Sequence, residues 1–414
     1  MKRNPKWRGP VIGINKQGYP TPVFFDAHTA INVKSKSGGI VVTGSPGSGK
    51  SQLGMNLAIM SAISGKKTVY LDPKNDALGM VNLAGELGGK VEVWDLNDGN
   101  QNGAMDPYIM ESDPRQKIAK AYSLVEILVG GLSDEQMTLL YPIMSDIANT
   151  DDPSLTALVT KLLRSDKPMI EALGTKLQAV EGSNPISGLI FKRGRDKPKM
   201  KHINDGLTII TTMGLRLPEY GADPKHYRAE ERLGLGIMYL ITDFILSVMK
   251  DQDTRLDPKT VVIDEAWAVV NNAAGYATIE SLLRLGRSLN TATILMTQNV
   301  SDLKSVNGED KLMNSAVTQF AFRCEDTDEA KRLCKTLGIS FDSFGEIFAN
   351  LDSGWCIMKD YLNRVSMIYI LQQNDRWVRA FEPNPLKKAQ NKRREMEKLL
   401  AQQKAEQAGL NIPN

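Results

Sequence analysis

The chain has 414 residues, of which 42% are hydrophobic and 24% charged, with a net charge of +3; these are globular proportions that exclude collagen-like or wholly disordered structure. The charge is uneven: from Leu386 onward seven basic residues face three acidic ones, so the tail carries +4 and the rest about −1. That balance excludes a generically basic nucleic-acid binder, and leaves such a role to local patches.

Cys324, Cys334 and Cys356 include no CxxC pair, which points to a reducing compartment and against zinc or a disulfide framework. Residues 1–38 predict a β-hairpin segment, with Pro10–Ile14 and Pro22–Phe25 flanking Lys16, Gln17 and Gly18. Met1–Ile14 is basic and has no apolar core, so no secretory leader is expected. Gly39–Thr43 predicts a buried strand running into a glycine-rich turn, and Gln52–Ile63 has helical apolar spacing. Strands follow at Thr68–Leu71 and Val91–Trp94, the alternation of a parallel sheet flanked by helices.

Residues 111–205 change character. Helical patterns cover Ile118–Leu128, Asp134–Ile147, Ser154–Leu163 and Met169–Val180, and a basic loop closes the stretch with Lys192, Arg193, Arg195, Lys197, Lys199 and Lys201. This predicts an all-α insertion domain in the sheet. The apolar run Leu235–Met249 carries Asp243 and is shorter than the roughly 20 residues that span a bilayer, so a buried helix is expected. Strand signals return at Leu207–Thr212, Thr260–Ile263, Thr293–Thr297, Gln319–Arg323 and Gly354–Lys359. The expected organisation is an α/β core over 39–110 and 206–384 with a mostly parallel sheet, and a basic helical or disordered tail over 385–414.

Gly44-Ser45-Pro46-Gly47-Ser48-Gly49-Lys50-Ser51 matches G-x-x-x-x-G-K-[ST] between a predicted strand and a predicted helix. Its glycines let backbone N–H groups curl round a phosphate, and the helix N-terminus adds partial positive charge. With Gln52 beside it, this segment predicts an ATP site in which Lys50 reaches the β- and γ-phosphates and Ser51 binds Mg²⁺. Val261–Ile263 ends in Asp264 and Glu265, two carboxylates at a strand end that opens on the ligand crevice. Asp264 is expected in the Mg²⁺ shell and Glu265 as the group that polarises the attacking water. Ile294–Thr297 ends in Gln298, a candidate contact to the γ-phosphate or the water.

Arg284 and Arg287 are expected on one helix face, either stabilising γ-phosphate charge in a neighbouring subunit or, in the bland alternative, pairing with Glu280. Arg323, at the end of a later strand, is a second arginine candidate. Asp72 and Lys74 either line the site or cap Asn75-Asp76.

Together these segments resemble the motor half of the type IV secretion (conjugation) ATPase family, in the HerA/FtsK group of RecA-like hexameric P-loop motors. The resemblance spans roughly Gly39 to Asp360. It adds Leu71-Asp72-Pro73-Lys74, Leu87-Gly88-Gly89, Asp106-Pro107-Tyr108, Asp264-Glu265-Ala266-Trp267, Arg284-Leu285-Gly286-Arg287 and Thr297-Gln298-Asn299 to the P-loop. It implies ATP hydrolysis by a cytoplasmic homo-hexamer, peripheral to the inner face of the cell membrane, that contacts the secretion channel. ATP would sit between Lys50 of one subunit and an arginine of the next. The alternative it leaves open is a DNA translocase of the same group, with DNA as partner. A slow, nucleotide-gated structural ring is the third class, and Glu265 argues against it. Two departures stand out: the family's Asn-Pro-Phe is Asp106-Pro107-Tyr108 here, and the large N-terminal domain usual in the family has only 43 residues in its place before the P-loop.

Overall fold

A computed structural model describes residues 9–15, 19–73, 76–77, 79–96, 102–194, 203–211, 215–219, 222–304, 308, 310–372 and 374–380. Arg195, Lys197, Lys199 and Lys201 of the basic loop, Lys74 and Asn75, and the 385–414 tail lie outside the described residues.

Strands β1 (Val11–Asn15), β2 (Thr21–Phe24), β3 (Gly39–Thr43), β4 (Lys67–Asp72), β5 (Val91–Asp95) and β6 (Leu207–Thr211) occupy the first half of the chain. The second half supplies β7 (Lys259–Ile263), β8 (Thr291–Thr297), β9 (Ala316–Ala321), β10 (Trp355–Lys359) and β11 (Val365–Ile370). All join one sheet, ordered β2-β1-β11-β10-β9-β3-β8-β7-β4-β6-β5. The seven strands from β9 to β5 run parallel, and β10, β11, β1 and β2 add antiparallel at one edge.

The helices are α1 (Thr29–Lys34), α2 (Lys50–Ile63), α3 (Gly79–Glu86), α4 (Pro107–Met110), α5 (Pro114–Val129), α6 (Asp134–Ala148), α7 (Leu155–Leu163) and α8 (Pro168–Glu181). They continue as α9 (Ala229–Met249), α10 (Trp267–Val270), α11 (Ala273–Leu285), α12 (Lys311–Ser315), α13 (Thr327–Leu337), α14 (Phe341–Ala349) and α15 (Asp375–Ala380).

The central strands are buried on both faces, so their apolar residues run on without polar interruption. Alternate residues split between two cores. Ile40, Val42, Tyr70, Val262, Ile294 and Met296 pack with α2 and α3. Val41, Val69, Leu71, Val261, Ile263 and Leu295 face the other way, into an apolar cluster shared with α5 to α9 and α11. Gly54 of α2 carries no side chain because a Cβ there would stand 2.2 Å from the sulfur of Met296. Helix α9 is long and apolar enough to cross a membrane, yet 72% of its most apolar window is buried inside the fold.

Local sequence sets the helix ends in the α-helical stretch. Asp113 caps α5 with Pro114 at its first position, Ser133 and Gln136 form a reciprocal capping box on α6, and Ser154 caps α7. Gly130 closes α5 in the left-handed conformation. Lys120 binds Glu111 at 2.5 Å and also Asp243, tying α5 to α9.

Asp106 ties α4 to the start of α7. Its fully buried carboxylate accepts from Tyr108 N at 2.9 Å, capping α4, and from Leu155 N at 2.7 Å, at the start of α7. Burial pushes this carboxyl up to about 7, against the two backbone donors and Lys192, which pull it down. The folded protein therefore holds this proton more tightly than the unfolded chain, whose aspartate titrates near 3.9. The contribution to stability is whole at low pH and is lost as pH rises toward 7, at up to about 1.4 kcal/mol per pH unit. Thermal melts of the wild type and Asp106→Asn between pH 5 and 8 check this: the difference in midpoint is expected to move in favour of the variant as pH rises. A difference that stays constant would remove the titration.

The structure corrects two sequence-based expectations and adds to two others. Helix α11 ends at Leu285, with Gly286 as its C-cap, so Arg287 sits in the following turn and does not share a helix face with Arg284. Strand β9 starts at Ala316 and ends at Ala321, which leaves Arg323 beyond it. Strand β11, in which apolar residues fill both alternating sets, has no period-two signal and is recognisable only as the partner of β10 and β1. The N-terminal hairpin forms between β1 and β2 and joins the edge of the main sheet, where β1 pairs with β11.

Candidate active site

The P-loop leaves the C-terminal end of β3, where Thr43 is in register with Thr297 of β8 and Ala321 of β9. Strands β7 and β4 end alongside, with Ile263 opposite Leu295 and Leu71 opposite Ile263. Register alone thus brings Gly44, Gln298, Asp264, Glu265 and Asp72 to one edge of the sheet, the crevice where open α/β sheets bind ligands.

The loop needs its glycines. Gly44, Gly47 and Gly49 take φ values of 150°, 72° and 114°, outside the range of most side-chain-bearing residues. A Cβ on Gly44 would meet Phe322 Cβ at 2.6 Å, and none of the molecule lies within 4 Å of one on Gly47, the open side of the cradle. Backbone bonds fix the walls: Gly44 N donates to Gln298 O at 3.0 Å and Ser45 N to Arg323 O at 2.7 Å. From the other side, Gly354 N donates to Ser48 O at 2.9 Å and Ser353 Oγ to Gly47 O at 3.0 Å.

The cradle suits a phosphate. No side chain caps the N-terminus of α2, so its first N–H groups point into the loop. Ser48 Oγ is buried with no hydrogen-bond partner. Lys50 lies in the cradle wall, where its ammonium donates to Gly44 O and, at 3.1 Å, to Ser45 O. Pro46 is exposed, and Ser51 and Gln52 are half-buried at the first turn of α2. The glycine conformations, the uncapped helix and the lysine fit a nucleoside triphosphate, and the side-chain oxygens of Ser51 and Asp264 are of the kind that Mg²⁺ prefers.

Asp264 and Glu265 are both buried. Asp264 Oδ1 accepts from Glu265 N at 2.9 Å and Oδ2 from Tyr70 Oη at 3.3 Å. Burial, with the charges of Asp264 and Asp72, keeps the Tyr70 hydroxyl protonated well beyond the ordinary phenol range, so it remains a donor. Glu265 adopts φ 50°, a left-handed conformation uncommon for a side chain of its length. The turn is held by Ala266 N to Met296 O at 2.8 Å and by Ala268 N to Glu265 O at 2.9 Å. Trp267 Nε1 donates to Glu265 Oε2 at 2.5 Å, which fixes the carboxylate's direction. Asp72 is fully buried and accepts from Ala77 N at 2.7 Å, capping the turn before α3.

Gln298 is half-buried at the end of β8 beside Gly44, and Asp302 braces that end by accepting from Thr297 Oγ1 at 2.5 Å and Asn299 N at 2.9 Å. Arg323 lines the cradle of its own chain through its carbonyl, while its side chain lies 3.5 Å from Glu325. Arg284 and Arg287 are elsewhere. Thr291 N donates to Gly286 O at 2.7 Å, which puts both arginines at the opposite end of β8. Seven residues of strand, at about 3.3 Å each, separate them from Gln298 by roughly 20 Å. Arg284 is exposed, with Glu280 at 3.9 Å one turn earlier.

Sequence reading overlooked Tyr70, Phe322, Ser353 and Gly354. Tyr70 and Phe322 look like core residues in the sequence, and Ser353-Gly354 lies about 300 positions from the loop it covers. The Ser-Gly pair before β10 was the one available signal, since Gly354 takes φ 87°.

The sequence pattern of the AAA-like domain family matches residues 23–381. Among curated proteins, the uncharacterised protein YddE of Bacillus subtilis is 24% identical over 208 residues, which cover 50% of this chain and 22% of that protein. The chain thus spans about a fifth of the length of that relative. Among solved structures, VirB4 of Thermoanaerobacter pseudethanolicus superposes with a TM-score of 0.69 at 16% identity, over 88% of this chain and 96% of that one. The plasmid coupling protein TrwB, in complex with ADP and Mg²⁺, superposes at 0.53 and 15% identity, over 90% and 91%. Its complex with a non-hydrolysable GTP analogue gives 0.54 at 14% identity over 90% and 91%. With its RecA-like P-loop fold and a family match over most of its length, this chain belongs to the AAA-like domain family.

Proposed function

We propose that the protein is an ATP-hydrolysing motor that works as a hexameric ring and energises conjugative type IV secretion at the cytoplasmic face of the membrane. One observation carries this reading. The chain assembles a phosphate cradle, an acid pair and Gln298 at one end of the sheet, and presents Arg284 and Arg287 at the other. Roughly 20 Å of strand keeps those arginines from the cradle of their own chain, so in this reading they act on a neighbour's.

In this reading ATP supplies the γ-phosphoryl group, on whose oxygens negative charge develops during transfer. Lys50 exchanges the carbonyls of Gly44 and Ser45 for phosphate oxygens. The N–H groups of the loop and the first turn of α2 bind the same oxygens, and Ser51 and Asp264 hold Mg²⁺. Glu265, aimed by Trp267, takes the proton of the attacking water, and Gln298 orients that water. A trans arginine stabilises the developing charge.

The likeness to VirB4 and the family resemblance support secretion as the process and channel components as partners. The likeness to TrwB, a coupling protein, supports the second reading, a DNA translocase. Steady-state ATP turnover with and without single- and double-stranded DNA, across salt concentrations, separates them. Turnover indifferent to DNA is expected for the secretion motor. Stimulation that fades with salt marks engagement of the phosphate backbone and replaces the first reading with the second.

A further inference from the structure

Away from the P-loop, a cavity of about 600 Å³ opens between β9, β10, α13 and the turn after β8. Its size falls in the range of roughly 300–1,000 Å³ typical of small-molecule sites. Its lining is unusual in charge: Lys36, Lys304, Arg332, Lys335 and Lys359 converge on it, with Asp310 as the single acidic lining residue among the described residues.

Few of these cations are neutralised. Lys36 Nζ donates to Tyr361 O at 2.6 Å and Lys359 Nζ to Thr336 O at 2.7 Å, both neutral carbonyls that orient the ammonium and leave its charge. Lys335 is exposed and makes no ion pair among the described residues. Lys304 stands 3.8 Å from Asp310, and Arg332 Nε 3.1 Å from Glu329 Oε1. Among the described residues the recess therefore keeps a net charge near +3, five cations against Asp310 and Glu329. Gln319 of β9, largely buried, adds an amide to the same wall. Like charges gathered in one recess repel each other, and a multivalent anion relieves that cost.

We propose that this cavity is a second anion site, separate from the P-loop, that takes a small oligophosphate. Free oligophosphates and nucleic-acid strands share this chemistry. A recess of about 600 Å³ bounded by β9 and α13 matches a short free anion better than a strand that must run on along the surface. The site is wired to the nucleotide crevice. Val300 lines the cavity two residues after Gln298, and Glu329, the partner of Arg332, also accepts from Ser301 N at 3.2 Å. An anion on Arg332 competes with Glu329 and alters its hold on the segment that follows Gln298.

The test uses the full chain carrying Lys50→Ala, which removes the P-loop cation, and titrates it with sodium tripolyphosphate in a calorimeter. One tripolyphosphate per chain is expected, with affinity falling as salt rises. Adding Lys335→Glu, at an exposed position that leaves the fold intact, is expected to weaken binding about tenfold or more, the effect of losing one charge-assisted contact and gaining a repulsive one. Lys225→Glu, an exposed charge reversal far along the chain, is expected to leave it unchanged. Absence of binding in the Lys50→Ala chain overturns the proposal, as does equal weakening by Lys335→Glu and Lys225→Glu. A 20-nucleotide single strand is titrated in parallel. Binding of the strand that Lys335→Glu removes, with no binding of tripolyphosphate, overturns the free-anion assignment in favour of nucleic acid.

Discussion

Glu265→Gln is expected to bind ATP with near-normal affinity and to lose about 10²- to 10⁴-fold in turnover, the usual contribution of a general base. The glutamine keeps the side chain's length and still accepts from Trp267 Nε1, so the turn at φ 50° and its bonds to Met296 survive. What disappears is the ability to take a proton. Equilibrium binding of a fluorescent ATP analogue and steady-state phosphate release separate the two quantities. Turnover within a few-fold of wild type would sink the role of Glu265. Trp267→Phe sharpens the test, because it leaves the carboxylate and removes the donor that aims it. A hydrogen bond to a charged group is worth about 1.5–3 kcal/mol, so turnover is expected to fall about tenfold or more with nucleotide affinity unchanged.

The double variant Arg284→Ala/Arg287→Ala is expected to fold and bind nucleotide while losing about 10³ to 10⁵ in turnover. Folding is safe because both residues are exposed, and the 3.9 Å pair with Glu280 is of the surface kind that contributes little. The informative step is mixing. Lys50→Ala chains have intact arginines and no cradle lysine, and the double variant has the reverse. Neither is expected to turn over alone, yet mixed rings contain junctions where an intact cradle meets an intact arginine. Recovery of phosphate release on mixing is therefore expected. Full activity of the double variant alone, or no recovery in mixed assemblies verified by size, would remove the trans arginine. Arg323 braces the P-loop of its own chain through its backbone carbonyl, which a side-chain substitution keeps, so Arg323→Ala removes only the guanidinium that lies 3.5 Å from Glu325.

Much of the chemistry was legible in one dimension because it depends on local geometry. The P-loop is a strand, a glycine turn and a helix in sequence, and the φ values of Gly44, Gly47 and Gly49 are what that spacing demands. Asp264-Glu265 and Gln298 each sit at the end of an apolar run, and an apolar run that ends in polar residues marks where a buried parallel strand meets the crevice. Helices α5 to α8 announce themselves through Asp113, Ser133, Ser154 and Pro168 at their starts.

Other features depend on which strands are neighbours, and no local pattern encodes that. The placement of β3 between β8 and β9, 250 or more residues away, puts Gln298 and Arg323 on the P-loop and seats Ser353 over it. The direction of β8 also sends Arg284 and Arg287, just before its first residue, to the far end of the sheet, which turns that pair into an argument for a ring. The basic cavity is assembled from five cations scattered between positions 36 and 359. The sequence by itself determined the fold class, the nucleotide cradle and its acidic partners, because backbone conformation and burial period act over a few residues. The tertiary structure alone decided which arginine lies beside the cradle and where positive charge gathers, because those outcomes follow from packing between segments distant in the chain.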